Sequence, residues 1–406
     1  MAFNINPLKQ ICNASESNTE KVVYSTDSSC IEGKLLAIAW PENLDQLQKL
    51  IRFAFREKIS LVPRGGGTSL VGGCVPQESI VVDLSRLNKI KRLVLSEKTV
   101  VADAGVYLDN LNSSISKYNL EFPVKPGSHA ACTIGGMIST NAAGLLSKKF
   151  GKTEDWIEEI SVMDGNGRLF AFSRNEAKEF VGTEGCCGFI VEAKLKLSEI
   201  SNNFSTDLLS FENLDEMGAR LEQLNNDADV IALEYINPVA SKIVGMPVKE
   251  HLIVKYSNER GKLAPDEAER IWKMRENMYS ILVNAGFNKI EDPFFETTEK
   301  SSSISGVPET SGVSKQGIIR FLDWVNKQNV PCYGHIGYGI VHPHFKLNED
   351  IGRMADAVKE LNGRLAGEHG VGLLKKRYAP LMISTRIKEL KSRYDPNNIM
   401  NRGKVI

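Results

Sequence analysis

The sequence has no surplus of charge of either sign, and this absence narrows the classes of partner. Its 406 residues include 50 Lys and Arg and 50 Asp and Glu, so the formal net charge is zero. Proteins that bind nucleic acid through their overall electric field are usually basic. We therefore expect no nucleic-acid partner, while a local basic patch stays compatible with the composition.

Long apolar runs are also absent. No stretch approaches the roughly 18 apolar residues that a membrane-spanning helix requires. The first residues, MAFNINPLKQICNASESN, lack the continuous apolar core of a signal peptide. We expect a cytoplasmic protein without a transmembrane segment, for which peripheral membrane contact stays open.

Cysteine is scarce and scattered. The seven cysteines show no Cys-x-x-Cys spacing, so we expect neither an iron–sulfur cluster nor a structural zinc ribbon. Cys186 and Cys187 are adjacent. We interpret them as small apolar residues of a buried strand, with a redox-active pair as the alternative.

Hydrophobic periodicity predicts two α+β regions that meet near residue 200. In the first region, Pro41 and the apolar spacing that follows it predict a helix in residues 40–58. The second region alternates strands with helices, and its most loop-like segment is 297–314. The predicted strands are 60–63, 79–87, 98–105, 206–211, 230–236 and 251–257; the other helices are 106–119, 214–225 and 266–284; and a hairpin covers 156–172.

The densest glycine run is VPRGGGTSLVGG, residues 62–73. A P-loop would end in Gly-Lys-Ser/Thr, and a Rossmann fingerprint would start a helix within the motif. Gly72, Gly73 and Pro76 argue against such a helix. Two interpretations remain open: a nest of backbone N–H groups for a phosphate, and a tight turn without a ligand.

Two more glycine-rich stretches follow, at residues 126–144 and 182–197. In order, RGGGTSLVGG, PGS....TIGG....NAAG and GTEG..GFIVEAKLKL resemble the flavin-binding domain of the vanillyl-alcohol oxidase/p-cresol methylhydroxylase superfamily. Within it, the chain is similar to the branch of D-lactate dehydrogenase, the glycolate oxidase flavin subunit and D-2-hydroxyglutarate dehydrogenase. The resemblance runs from about residue 35 to the C terminus.

The resemblance implies an α+β fold in three segments. Residues 1–200 would form a two-part FAD-binding domain of the p-cresol methylhydroxylase type, and residues 201–375 a substrate (cap) domain, α+β with an antiparallel sheet. Residues 376–406 would return to pack on the FAD domain. Thr68 stands where covalently flavinylated members often carry a histidine, so the implied FAD is non-covalent. The implied FAD contacts are Pro63, Arg64, Gly65, Gly66, Gly67, Thr68, Ser69, Pro126, Gly127, Thr133, Gly135, Gly136, Asn141, Gly144, Gly185, Gly188, Ile190 and Asn401.

Four of the six histidines fall within residues 335–369. Two imidazoles and a carboxylate, from His335, His342 and Glu368, would suit zinc or manganese with coordination positions left open. Residues seven apart in a regular strand face opposite sides, so we expect the glycines between the two histidines to bend the chain. His344 is a competing ligand, and the alternative is a set of hydrogen-bonded core histidines.

The family's hallmark pair, GHxGDGNxH and GEHG, appears here as GHIGYGIVH and GEHG. It implies that His335, His342 and Glu368 hold a divalent metal and that His369 is the base. Tyr338 and Ile340 replace the family's aspartate and asparagine, so the surroundings of the substrate must differ. Tyr338 could donate a hydrogen bond, stack on flavin or pack at the surface.

Two cations complete the implied site. Arg275 lies where the family carries an arginine that clamps the substrate carboxylate, a role that suits a planar guanidinium. Lys289 lies near a family lysine with the same task. A surface position in a charged helix is the alternative for Arg275.

The resemblance implies an FAD-dependent dehydrogenase of a small D-2-hydroxy acid, with D-lactate as the first expectation. Its electrons would pass to an external quinone, electron-transfer protein or dye, because the chain shows no cluster or haem motif of its own. A flavin oxidase of a non-acidic alcohol and a flavin subunit of a glycolate-oxidase-like complex are the alternatives. A homodimer is one assembly open to it.

Overall fold

The computed structural model describes residues 3–296, 314–347, 349–381 and 385–406. All but the last residue of the loop predicted at 297–314 lies outside the described residues. The described chain forms two compact units: residues 1–142, 152–200 and 368–406 make the first, and residues 143–151 and 201–367 the second. The functional domain boundaries expected at residues 200 and 375 stay a prediction.

Strands supply the framework of both units. They are β1 (Asn13–Ser15), β2 (Lys34–Trp40), β3 (Ser60–Arg64), β4 (Gln77–Asp83), β5 (Ile90–Val94), β6 (Thr99–Asp103), β7 (Leu120–Glu121), β8 (Ile157–Met163), β9 (Leu169–Ser173), β10 (Phe189–Lys196), β11 (Ser198–Glu199), β12 (Ser205–Phe211), β13 (Val230–Ile236), β14 (Glu250–Tyr256), β15 (Lys289–Ile290), β16 (Cys332–Gly334) and β17 (His342–Phe345).

Helices connect and cover these strands. They are α1 (Asn6–Lys9), α2 (Asn18–Tyr24), α3 (Leu44–Glu57), α4 (Leu108–Ile115), α5 (Ile134–Thr140), α6 (Ser147–Phe150), α7 (Arg174–Ala177), α8 (Leu214–Asn225), α9 (Pro238–Ile243), α10 (Pro265–Glu276), α11 (Met278–Asn284), α12 (Ser314–Lys327), α13 (Gly352–Glu360) and α14 (Thr385–Tyr394). In the part of the chain that the structure describes, no helix combines the length and apolarity needed to cross a membrane.

The first unit contains two principal sheets. One has the order β1-β2-β4-β3, in which β2, β4 and β3 run parallel; the other has the order β5-β6-β10-β8-β9 and is antiparallel. The first sheet packs in one apolar core, and the second sheet contributes residues to that core and to another one on its own. The two-part architecture implied by the resemblance is confirmed.

The C-terminal segment is part of the first unit. Met400 bridges Leu61 of β3, and the Asn401 N–H donates to the Leu61 carbonyl at 2.7 Å. The expected return of the tail is therefore confirmed. The second unit is α+β, with a sheet in the order β12-β14-β13-β16-β17-β15 whose paired strands are all antiparallel, as expected.

Three local expectations need correction. Pro41 does not open α3, because the Asn43 side chain caps the helix at the Gln46 N–H and the helix begins at Leu44. The helix expected over residues 266–284 is two helices, α10 and α11, which meet at Asn277. Cys186 and Cys187 are fully buried as expected, but they lie in the bend before β10 and not in a strand.

Candidate functional site

The glycine run forms a loop and not a helix start, as expected. It leaves β3 at Arg64, and β4 begins at Gln77. Gly67 has a φ of +69°, a left-handed conformation that side chains disfavour. Among the described residues, none accepts a hydrogen bond from the backbone N–H groups of residues 65–69. Consecutive unengaged N–H groups of this kind suit an anionic ligand.

A cavity lies beside this loop. The predicted cofactor residues that line it are Pro63, Arg64, Gly65, Ser69, Thr133, Gly135, Gly136, Gly185 and Ile190. Eight other residues line the cavity and were not predicted from the sequence: Gly73, Cys74, Leu84, Ala104, Ser139, Thr140, Glu184 and Phe189. Ser139 and Thr140 could have been found, because they lie three and four residues after Gly136 and share its helix face.

Glycine lets the three predicted stretches approach one another around the cavity. A Cβ on Gly65 would lie 2.2 Å from Thr133 Oγ1, and one on Gly185 would lie 2.5 Å from Pro63 Cγ. Both distances are shorter than any ordinary contact, so a side chain at either position would push the walls apart. The cavity therefore depends on glycine at these positions.

Other predicted cofactor residues have partners within the protein. Asn141 ends α5 with a φ of 53° and donates to Glu154 Oε1 at 2.9 Å. Asn401 donates through Nδ2 to the carbonyl oxygens of Glu184 and Gly73. Contact with FAD stays a prediction for both, as it does for Gly66, Gly67, Thr68, Pro126, Gly127, Gly144 and Gly188.

Glu184 is a buried carboxyl in the cavity wall that was not predicted from the sequence. Oε1 accepts from the Val371 N–H at 2.5 Å and Oε2 from the Gly372 N–H at 3.0 Å. Burial raises the pKa of Glu184 to about 7, although the two amides and the nearby Lys404 and Lys375 ammonium groups oppose this shift. Burial likewise lowers the pKa of Lys404 to about 8.

The raised pKa of Glu184 predicts a pH dependence of stability. An unfolded carboxyl loses its proton near pH 4.5 and the folded one near pH 7, so between these values the folded state binds more protons. The free energy of unfolding should then fall as pH rises, by a total of about 3 kcal/mol from this group. We expect Glu184→Gln to remove this decline in denaturant unfolding measured from pH 4.5 to 7.5. Parallel curves for the two proteins would contradict the assignment.

The histidine cluster of the second unit is built on a hairpin. Strands β16 and β17 pair with Tyr333 opposite His342, and a 3₁₀ turn at Ile336–Tyr338 follows His335. Gly339 ends this turn with a φ of 89°. The expected bend is thus confirmed, and the rings of His335 and His342 lie edge to face with centroids 5.4 Å apart.

Each of these two histidines has its Nδ1 engaged by the protein. His335 Nδ1 lies 2.8 Å from Glu234 Oε1, and His342 Nδ1 lies 3.3 Å from the Glu291 carbonyl oxygen. Since a carbonyl oxygen and a carboxylate oxygen both accept hydrogen bonds, these contacts favour the tautomer with hydrogen on Nδ1 in each ring. The Nε2 lone pair is then the one that can bind a metal.

Among the described residues, one group of His, Cys, Asp and Glu side chains could hold a metal, and it is the predicted one. His335, His342 and Glu368 each offer a ligand atom, and these atoms lie within 4.8 Å of one another. Two imidazoles and a carboxylate, with oriented histidine tautomers, fit a zinc-type cation. His344 is outside the group: its Nδ1 faces the Phe287 carbonyl at 3.1 Å.

The backbone that precedes Glu368 and His369 is held by hydrogen bonds. The Gly367 N–H donates to two oxygens of Asp292, the carbonyl oxygen and Oδ2, each at 2.8 Å. His369 Nε2 lies 3.6 Å from Glu368 Oε1. The base predicted for the reaction is therefore adjacent to a predicted metal ligand in space as well as in sequence.

Arg275 is buried rather than presented at a surface. Its Nη2 lies 2.5 Å from Glu234 Oε2, and its guanidinium lies over the Tyr333 ring at 4.4 Å. Its Nε has no acceptor among the described residues. If Arg275 binds a substrate carboxylate as predicted, it must do so while it is also paired with Glu234. The sequence carried one signal for Glu234, a lone carboxylate within the apolar strand VIALEYI.

The remaining predicted residues lie as follows. Lys289 donates through Nζ to the Glu349 carbonyl at 2.9 Å. Tyr338 is partly exposed, and its ring lies 6.0 Å from that of Phe294. Their roles toward a substrate stay predictions, and Tyr338 packs against an aromatic ring in the second unit.

Comparison with known proteins identifies two regions of the chain. Residues 35–173 match the model of an FAD binding domain, and residues 250–405 match the C-terminal domain of FAD linked oxidases. Glycolate oxidase subunit GlcD of Bacillus subtilis is 25% identical, over 97% of this chain and 94% of its own. A D-2-hydroxyglutarate dehydrogenase of Xanthomonas citri is 27% identical over 91% and 89%, and a D-lactate dehydrogenase of Archaeoglobus fulgidus 24% identical over 90% of each.

Among solved structures, an alkyldihydroxyacetonephosphate synthase superposes on 98% of this chain and 84% of its own, with a TM-score of 0.68. The two sequences are 14% identical, so this likeness concerns the fold alone.

Proposed function

The chain belongs to the FAD-linked oxidases, since it carries both their FAD-binding and their C-terminal domain, and we propose that it is an FAD-dependent dehydrogenase of a small D-2-hydroxy acid. D-Lactate is the proposed first substrate. The similar proteins named as acting on glycolate, D-2-hydroxyglutarate and D-lactate support the 2-hydroxy-acid class. These names support the class, and D-lactate as the substrate within it is part of the proposal.

The residues of the first unit fit FAD. The loop of residues 65–69 offers N–H groups without an acceptor among the described residues to the diphosphate, and the cavity beside it depends on glycine in its walls. Bound there, FAD supplies the hydride acceptor of the reaction. The protein's own part is to hold the cofactor and exclude water from its contact surface.

The residues of the histidine cluster fit a divalent metal, for which zinc is proposed and manganese is the alternative. His335, His342 and Glu368 would hold it. The chemistry that such a cation supplies is a lower pKa for the 2-hydroxyl of a substrate. His369, as a neutral imidazole beside Glu368, would accept the hydroxyl proton.

Arg275 is proposed to bind the substrate carboxylate through the Nε that lacks an acceptor among described residues. A buried guanidinium strengthens such a contact because little water competes for it. Electrons would leave the reduced flavin for an external quinone, electron-transfer protein or dye.

The observation that carries this proposal is the convergence of His335, His342 and Glu368 within 4.8 Å in a chain that also carries an FAD-binding domain. The test uses purified protein reconstituted with FAD and zinc and mixed anaerobically with each enantiomer of lactate, 2-hydroxyglutarate and malate, and with glycolate and an alditol. We expect the yellow colour to be lost with D-lactate and retained with L-lactate. A polypeptide that stays colourless when FAD is offered would refute the cofactor assignment.

One observation favours a second candidate. The charge of Arg275 is already balanced by Glu234, which reduces the need for a substrate carboxylate. A flavin oxidase of a non-acidic alcohol would use the same flavin loop without that anion. Bleaching by the alditol, with no response to any hydroxy acid, is the outcome that selects it. A role as flavin subunit of a glycolate-oxidase-like complex would appear as bleaching by glycolate.

A further inference from the structure

Glu234 occupies a central position in the second unit. It lies on β13, every residue of which is buried, and its side chain is 1% exposed. The two carboxylate oxygens have different partners: Oε1 is 2.8 Å from His335 Nδ1, and Oε2 is 2.5 Å from Arg275 Nη2. The contact of Oε2 with Arg275 is an ion pair without hydrogen-bond geometry, whereas Oε1 is within hydrogen-bonding distance of His335. A buried carboxylate is costly unless it is paired, so the two partners together account for its burial.

The sheet register sets the contact with His335. Strands β13 and β16 are antiparallel with Tyr235 opposite Gly334. One step further along the ladder, Glu234 comes opposite His335, so the two side chains project from the same face of the sheet. The pairing is thus fixed by backbone hydrogen bonds and not by the rotamer of a surface loop.

Ring contacts also connect Arg275, the other partner of Glu234, with the two histidines. The guanidinium of Arg275 stacks on Tyr333, whose ring lies 5.3 Å from that of His342. His342 in turn packs edge-on against His335 at 5.4 Å. Movement of the Glu234 carboxylate would therefore be transmitted to both histidines.

We propose that Glu234 is the positioning residue of the metal centre: its Oε1 holds His335 in the Nδ1–H tautomer, so that Nε2 presents its lone pair to the cation. This inference rests on the proposed function, because it concerns the same site. A neutral imidazole has one nitrogen lone pair, and the hydrogen bond at one nitrogen decides which nitrogen keeps it. The Glu234 charge also raises the basicity of the ligand nitrogen through the ring.

The chain offers a matched control. Glu250 is another buried carboxylate of the same sheet, on β14, where its Oε2 accepts from the Tyr235 hydroxyl at 2.6 Å and its Oε1 from Asn326 at 2.7 Å. None of these partners is a proposed metal ligand. Glu250→Gln therefore measures the effect of losing a buried carboxylate in this sheet, without disturbing the contact between Glu234 and His335.

The experiment measures Zn²⁺ affinity of metal-free protein by competition with a chromogenic chelator, for the wild type, Glu234→Gln and Glu250→Gln. We expect Glu234→Gln to weaken Zn²⁺ binding by about 10- to 100-fold and Glu250→Gln to leave it at the wild-type value. Thermal unfolding of each variant establishes that it is folded. Equal affinity in the wild type and Glu234→Gln would overturn the positioning role, as would an equal loss in both variants.

A wild-type chain that binds no Zn²⁺ would instead refute the metal centre of the proposed function, which separates the two failures. If Glu234→Gln does not fold, the wild type itself decides the question. In metal-free protein labelled with ¹⁵N-histidine, the His335 signals, identified by their loss in His335→Gln, should be those of the Nδ1–H tautomer. The opposite tautomer would reject the inference.

Discussion

Replacement of His369 by glutamine is expected to lower the rate of flavin reduction by about 10²- to 10⁴-fold, the usual contribution of a general base. Glutamine has a similar size and keeps hydrogen-bonding capacity, but it cannot accept the substrate's hydroxyl proton. His369 is nearly buried and lies 3.6 Å from Glu368, and glutamine, which is neutral and similar in size, should fit in its place. The measurement is anaerobic stopped-flow reduction of the bound flavin by D-lactate.

The control for this substitution is His129→Gln. His129 also belongs to the first unit, and its Nδ1 lies 2.9 Å from both carboxylate oxygens of Asp109 at a part-exposed position. We expect it to reduce flavin at the wild-type rate. FAD and zinc content must be equal in all three proteins. If His369→Gln retained the wild-type rate at full occupancy, the proton would have to be accepted elsewhere.

Replacement of His342 by alanine is expected to abolish metal retention and to lower flavin reduction by about 10³-fold, which corresponds to roughly 4 kcal/mol of lost stabilisation. The variant leaves one imidazole and Glu368, too few protein ligands for a stable zinc site. Metal content after dialysis, measured by elemental analysis, checks the first effect. Anaerobic reduction of FAD-loaded protein checks the second.

His344→Ala is the matched control, because His344 lies on the same strand and is as fully buried as His342. Its ring packs against Tyr333 at 5.3 Å, and it is not in the group of possible ligands. We expect this variant to keep its metal, although loss of a buried ring should lower its unfolding temperature. Equal metal loss in the two variants would mean that the strand, and not His342, is what the metal site requires.

Glycine and histidine were the informative residues of the sequence, for different reasons. The conformational freedom of glycine affects only the local backbone, so the loop at 62–73 and its lack of a helix could be predicted from the sequence alone. The approach of His335 and His342 was predictable because glycines between them allow the chain to bend. Glu368 was added to them from its ligand chemistry and from the family resemblance. Pro41 misled the helix prediction, because the cap supplied by Asn43 prevailed over the preference of proline for a first turn.

Glu184 and Glu234 could not be assigned from sequence. Each is a carboxylate whose partner is distant along the chain, Val371 for one and His335 for the other. A carboxylate in an apolar strand signals an internal partner but does not say which one. The pairing of Arg275 with Glu234 was missed for the same reason, and it changes the charge that a substrate would meet.

The sequence by itself predicted the two α+β regions and a set of candidate ligands, since these depend on periodicity and residue chemistry, and its resemblance to a known family indicated the cofactor class. The tertiary structure alone decided the buried partners: which atom faces His335 Nδ1, what balances the charge of Arg275, and why the pKa of Glu184 is raised to about 7. Those properties depend on strand register and on exclusion of water, which arise only when residues far apart in the sequence are brought into contact.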